Sequence, residues 1–132
     1  MANAMMIAAV ATGGAIGAVL RYTTSLVVGA GIFGMAGPLA TLLVNIAGSA
    51  MMGGLAGLIA AGMVLPETWR GFFAVGLLGA LTTFSSFALD SYGFWMRSDL
   101  IGAAGYLGAS VILSLASFAI AYGVVRTALG AG

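Results

Sequence analysis

The stretch Gly76-Leu77-Leu78-Gly79-Ala80-Leu81-Thr82-Thr83-Phe84-Ser85-Ser86-Phe87 lies close to the centre of an apolar segment that runs from Gly71 to Met96. Glycines and hydroxyls interrupt that segment: four of the five residues from Thr82 to Ser86 carry a hydroxyl. The segment is long enough to cross a bilayer, so the hydroxyls fall near mid-membrane depth. In hydrocarbon, polar or irregular backbone persists only where it is buried in protein or lines a wet cavity. The interruption is therefore where a function is expected.

The rest of the chain reads as membrane protein. Of 132 residues, 62% are hydrophobic and 5% charged, with no lysine; an ordinary soluble domain carries about 25% charged residues. Four apolar segments are predicted to span, at about Ala4–Val28, Pro38–Met63, Gly71–Met96 and Leu100–Val125. Each is near the roughly 20 residues a spanning helix needs. The connections are short: Gly29–Gly37 with four glycines, Val64–Arg70 with Pro66, and a tight turn at Arg97–Asp99. The expectation is a single four-helix transmembrane domain over residues 1–132, all-α. No basic region precedes the first apolar run, which is read as a retained span. The chain has no Cys and no His, which excludes disulfides, imidazole catalysis and zinc sites of the usual kind. A net charge of +1 gives no reason to expect a nucleic-acid partner.

Four helices make a small bundle, and a homodimer is expected. Gly13 and Gly17, like Gly53 and Gly57, stand one helical turn apart, a spacing that lets helix backbones approach closely in lipid. The same spacing serves packing within one chain. With four spans, Arg70 and Arg126 fall on one side of the membrane and Arg97 on the other, joined there by Arg21 if it lies toward the end of its span. Orientation follows a Lys/Arg excess, and two against two is no excess. Such chains can insert both ways round and pair antiparallel, unless one charge or the N-terminal amine decides.

Polar residues recur at helical spacing. Thr41, Asn45 and Ser49 share one face of the second span, and Tyr106, Ser110 and Ser114 one face of the fourth, with Ser117 adjoining. An amide such as Asn45 has two N–H donors that need partners; interhelical hydrogen bonding would also supply them. A serine column can form a wet track or bond back to the preceding turn. Phe84 and Phe87 share a face of the third span. Their rings have positive edges, yet phenylalanine in a membrane helix is also ordinary apolar bulk.

Several of these segments together resemble one known family. Gly13-Gly14-Ala-Ile-Gly17-Ala-Val-Leu-Arg21-Tyr22 looks like the glycine-rich first-span motif of the Fluc (CrcB) fluoride channels. Thr41-Leu-Leu-Val-Asn45-Ile-Ala-Gly48-Ser49 resembles its second-span motif, and the string from Gly76 to Phe87 its third-span signature. The likeness covers essentially the whole chain. Ala80 stands where a second Gly often follows, Ser86 where Thr is usual, and Asp90 where Glu is more frequent.

The resemblance implies a passive, fluoride-selective channel that exports fluoride across a bacterial inner membrane. It implies an antiparallel, dual-topology homodimer with two pores, a third helix broken at its centre, and a structural sodium ion on the two-fold axis. Carried over residue by residue, the sodium ligands would be the backbone carbonyls of Gly79 and Thr82. Phe84 and Phe87 would face fluoride, Asn45 would be the pore amide, and Tyr106, Ser110 and Ser114 the polar track, with Thr41 and Thr83 accessory. Physical chemistry agrees. A mid-span break frees carbonyls from the helical ladder, and carbonyl oxygens suit a hard cation. Uncharged donors replace the water of fluoride without the trap that a buried Lys would make. Arg21 is costly inside a bilayer, by about 2.5–3.5 kcal/mol or more; it is expected to snorkel at one end of its span, as an anion vestibule or as an anchor paired with a carboxylate such as Asp90.

Rival readings fit less well. A small multidrug transporter also has four spans and dual topology but needs a carboxylate within the first, and Ala4–Leu20 holds none. A non-conducting scaffold would not need Asn45, the interrupted third span and the polar fourth together. With no His, Cys or Lys, an enzyme is not expected.

Overall fold

The computed structural model describes residues 2–29 and 36–130. Gly31 and Gly34 of the expected first connection lie outside the described residues. The first span is helix α1 (Ala2–Gly29) and the second α2 (Ala36–Ala60). The third is composite: α3 (Glu67–Arg70), a wide π-helical stretch (Gly71–Leu78), α4 (Gly79–Leu81) and α5 (Phe84–Met96). The fourth is α6 (Leu100–Leu129). The shortest of the four candidate spans has 24 residues, about 36 Å at 1.5 Å per residue, against a hydrocarbon core of about 30 Å. Among the described residues the architecture is helical, with four helices long and apolar enough to span, as in a multi-pass membrane protein.

Helix ends differ from the expected bounds where turn chemistry decides. The second span stops at Ala60 rather than Met63. Gly62 takes φ +96° and the Met63 N–H bonds the Leu58 carbonyl at 3.0 Å, closing the helix as a Schellman motif. The third span begins at Glu67, four residues before the expected Gly71, directly after Pro66. At the expected tight turn, Ser98 takes φ 56° and Asp99 Oδ1 accepts from the Gly102 N–H at 2.8 Å, capping α6. The fourth span runs on to Leu129 instead of ending at Val125.

Small residues set the packing. α6 lies along α2, and α1 lies against the π-helical stretch. A Cβ on Gly57 would stand 2.8 Å from the Tyr122 carbonyl oxygen, and one on Gly13, Gly17 or Gly53 would collide with the carbonyl of Phe72, Leu77 or Phe118 in turn. The glycine pairs thus serve close approach within one chain. The buried apolar core is thin, made of Val44, Leu78 and Leu81 in one cluster and Phe94, Ala103 and Tyr106 in another. Most large apolar side chains are exposed, as lipid permits. Trp69, Phe72 and Phe73 stack together near the start of the third span; Trp95 and an Arg97 guanidinium 5.0 Å from the Phe94 ring mark its end. Aromatic and arginine side chains at these levels suit the two membrane interfaces.

Candidate functional site

Between α4 and α5, Thr82 (φ −79°, ψ 155°) and Thr83 (φ −152°, ψ 119°) take extended backbone. Three contacts account for it. Asn45 on α2 grips the Thr83 backbone on both sides of its Cα. Its Oδ1 accepts from the Thr83 N–H at 2.8 Å, and its Nδ2 donates to the Thr83 carbonyl at 3.1 Å. Gly48, one turn further along α2, receives the Thr82 methyl, and a Cβ there would collide with it. Thr83 caps α5, its Oγ1 accepting from the Ser86 N–H at 3.1 Å with the Ser85 and Ser86 hydroxyls 3.1 and 3.2 Å away.

These bonds change the fate of two carbonyls. In a continuous helix the Thr83 N–H would bond the carbonyl of Gly79, and the Ser86 N–H that of Thr82. Here Asn45 Oδ1 takes the first donor and Thr83 Oγ1 the second. Leu78 still accepts from Thr82 N–H at 3.1 Å, so the ladder is intact just before this point. Carbonyl oxygens without helical donors are the kind of ligand a hard monovalent or divalent cation takes. Among the described residues there is no group of three or more acidic, His or Cys side chains that could hold a metal.

A cavity of about 450 Å³ lies between the extended pair, α2 and α6. Asn45, Thr82, Thr83, Phe84, Phe87, Ser110 and Ser114 all line it, with Met52, Leu78 and Phe118 among its apolar walls. Ser110 is only 5% exposed. The hydroxyls of Ser110 and Ser114 are buried and have no partner in the protein. Several other hydroxyls in these helices do find one. Thr12, Thr24, Ser25, Ser91 and Thr127 each bond the carbonyl four residues back, and Ser117 bonds the Ile46 carbonyl on α2 at 3.1 Å. An unmet buried hydroxyl costs about 1–3 kcal/mol, which a polar occupant of the cavity would recover.

The Phe84 and Phe87 rings are 5.4 Å apart, and Phe87 continues to Tyr106 at 5.7 Å. Phe84 is 79% exposed on a single chain. Tyr106 does not line the large cavity; its hydroxyl donates to Asp90 Oδ2 at 3.2 Å. That bond gives the Asp90 carboxylate a partner other than Arg21. Arg21 instead lines a second recess of about 220 Å³ with Thr41, Thr83 and Ser86. Thr83 thus belongs to both walls, and the Arg21 recess reaches the level of the extended pair. Gly79 borders neither recess. Sequence reasoning missed the Asn45 grip on Thr83 and the seating of Thr82 on Gly48. Gly48 lies three residues after Asn45 on the same face, which is the spacing of a small-residue contact beside a polar anchor.

A sequence model described as CrcB-like protein, Camphor Resistance (CrcB), matches residues 8–124. The chain belongs to the CrcB-like family. Curated relatives of this CrcB-like chain carry a more specific name. A protein of Rhodospirillum centenum named fluoride-specific ion channel FluC is 44% identical over 94% of this chain and 98% of its own length. One of Paracoccus denitrificans with the same name is 46% identical, over 82% and 84%. One of Nitrobacter hamburgensis, named fluoride-specific ion channel FluC 1, is 41% identical over 91% and 94%.

Proposed function

We propose that this CrcB-like protein is a passive fluoride channel of the bacterial inner membrane, exporting the anion from the cytoplasm. The names of its relatives support the ion. The observation that supports the path is the pair of orphaned hydroxyls, Ser110 and Ser114, in the wall of the cavity beside the extended Thr82–Thr83 pair.

The chemistry follows from the residues. Arg21 raises the local concentration of anions in the second recess, where Thr41 and the shared Thr83 offer hydroxyls. In the cavity, Ser110 and Ser114 donate to the anion in place of water. Asn45 has one amide hydrogen left after its bond to Thr83. Phe84 and Phe87 present ring edges, and Tyr106 backs Phe87. None of these donors carries a fixed charge, so binding stays weak enough for release. Two copies, inserted in opposite directions, would bring the exposed Phe84 faces and the extended pairs together and give two pores. The Gly79 and Thr82 carbonyls of both copies are the proposed ligands of a central sodium ion. When bound, that ion would supply a positive charge that satisfies the carbonyls and favours anions nearby.

Expression in bacteria stripped of their own fluoride export should restore growth at fluoride concentrations that arrest the parent cells. Folded protein present in the membrane without any rescue would count against the proposal.

A further inference from the structure

The two carbonyls proposed to hold sodium share a property that neither glycine nor threonine confers by itself. Each has lost its helical donor to a side-chain acceptor: Thr83 N–H to Asn45 Oδ1 at 2.8 Å, and Ser86 N–H to Thr83 Oγ1 at 3.1 Å. We infer that Asn45 and the Thr83 hydroxyl are positioning residues of the cation site, holding the Gly79 and Thr82 carbonyls open by capturing the N–H groups that would otherwise close onto them.

Three features carry this inference. First, the grip of Asn45 is two-sided. Accepting from the Thr83 N–H and donating to the Thr83 carbonyl holds both peptide groups that flank the Thr83 Cα, which fixes that residue in the extended state. An amide is the side chain that offers an acceptor and a donor together at this span. Second, the Thr83 hydroxyl stays in place as an acceptor because the Ser85 and Ser86 hydroxyls surround it and Thr83 is only 7% exposed. Third, the helix is intact just before the affected carbonyls, where Thr82 N–H still reaches Leu78. The ladder is interrupted where side chains compete for its donors, and no proline is present in the third span to do it. Asn45 also lines the cavity with the orphaned serines, so one residue connects the anion path to the cation ligands.

The inference rests on the sodium reading above, and it makes a separate claim. Without the competing acceptors, each carbonyl regains a helical N–H, and sodium must displace that bond in order to bind. Affinity for sodium should fall even where the fold survives.

The test is thermal stability of the purified wild-type and variant dimers, titrated with sodium chloride against choline chloride. Thr83→Val keeps the shape and removes the acceptor. Asn45→Leu removes the grip. In both, the sodium concentration that gives half of the stabilisation should rise at least about ten-fold, equivalent to about 1.4 kcal/mol. Thr83→Ser, which keeps the hydroxyl, should titrate as wild type. Ser117→Ala, which removes the hydroxyl bonded to Ile46, should lower the melting temperature equally at every sodium concentration, with its midpoint unmoved. Sodium-dependent wild type with unmoved midpoints in Thr83→Val and Asn45→Leu overturns the positioning role. Wild type indifferent to sodium overturns the sodium reading itself. Should either variant fail to assemble, isotope-edited infrared spectra of wild type decide. In sodium-free protein the labelled Gly79 and Thr82 carbonyls should absorb above the helical band, and bands at the helical position would show a closed ladder and refute the inference.

Discussion

Replacing both cavity serines, Ser110→Ala with Ser114→Ala, should lower fluoride flux by about 100-fold or more while leaving the protein at least as stable. The two effects have one cause. Each hydroxyl is buried without a partner in the protein, so deleting it removes a desolvation penalty of about 1–3 kcal/mol from the folded state. On the proposed path, fluoride would lose the same donor. A hydrogen bond to a charged group is worth about 1.5–3 kcal/mol, so two lost donors raise the barrier by about 3 kcal/mol at least, or two decades in rate. Packing residues behave oppositely. Truncation of a well-packed serine costs stability and leaves the path untouched. Fluoride-electrode recordings and melting curves on the same preparation check both halves. Flux within a few-fold of wild type, in a properly assembled double variant, would remove these hydroxyls from the path.

Phe87→Ile should reduce fluoride flux by roughly ten-fold, the decade that about 1.4 kcal/mol of lost edge interaction represents. Isoleucine preserves much of the apolar volume but has no polarised edge. Phe87 lines the cavity and stacks on Phe84 at 5.4 Å and Tyr106 at 5.7 Å. The substitution therefore touches packing as well as the proposed path, and size-exclusion of the variant must accompany the flux measurement. Phe84→Ile is the cleaner companion, because Phe84 is 79% exposed on the single chain and holds little of its internal packing. Wild-type flux in both well-assembled variants would assign the rings to bulk.

How far the sequence carried this reading depended on the range of each interaction. The four spans were legible because runs of about 20 apolar residues have few alternatives. Their ends were less so. Gly62 and Pro66 set two of them through local turn geometry, and hydropathy does not register that. The four-residue period placed Ser110 and Ser114 on one face, and the structure places both in one cavity wall. That their hydroxyls lack partners could not be foreseen. Ser91 and Thr127 look alike in sequence and bond back to the preceding turn. Asn45 was identifiable as an amide in need of partners, but its partner lies 38 residues away in the chain. Spacing groups Tyr106 with the serines, and its bond to Asp90, 16 residues back in the chain, is set by tertiary packing. Arg21, expected toward a helix end as a vestibule or an anchor, borders a recess that also includes Thr83. The length of an arginine side chain leaves such a choice to tertiary packing. Family membership rests on the matched sequence over residues 8–124 and on relatives 41–46% identical.

Release of anions from liposomes holding the purified protein tests the central claim most directly. With fluoride inside and no proton gradient, a fluoride electrode should record rapid, passive efflux once the electrical potential is dissipated, and the same liposomes loaded with chloride should empty far more slowly. Equal rates for the two anions, or fluoride release that requires a proton gradient, would contradict a fluoride-selective channel.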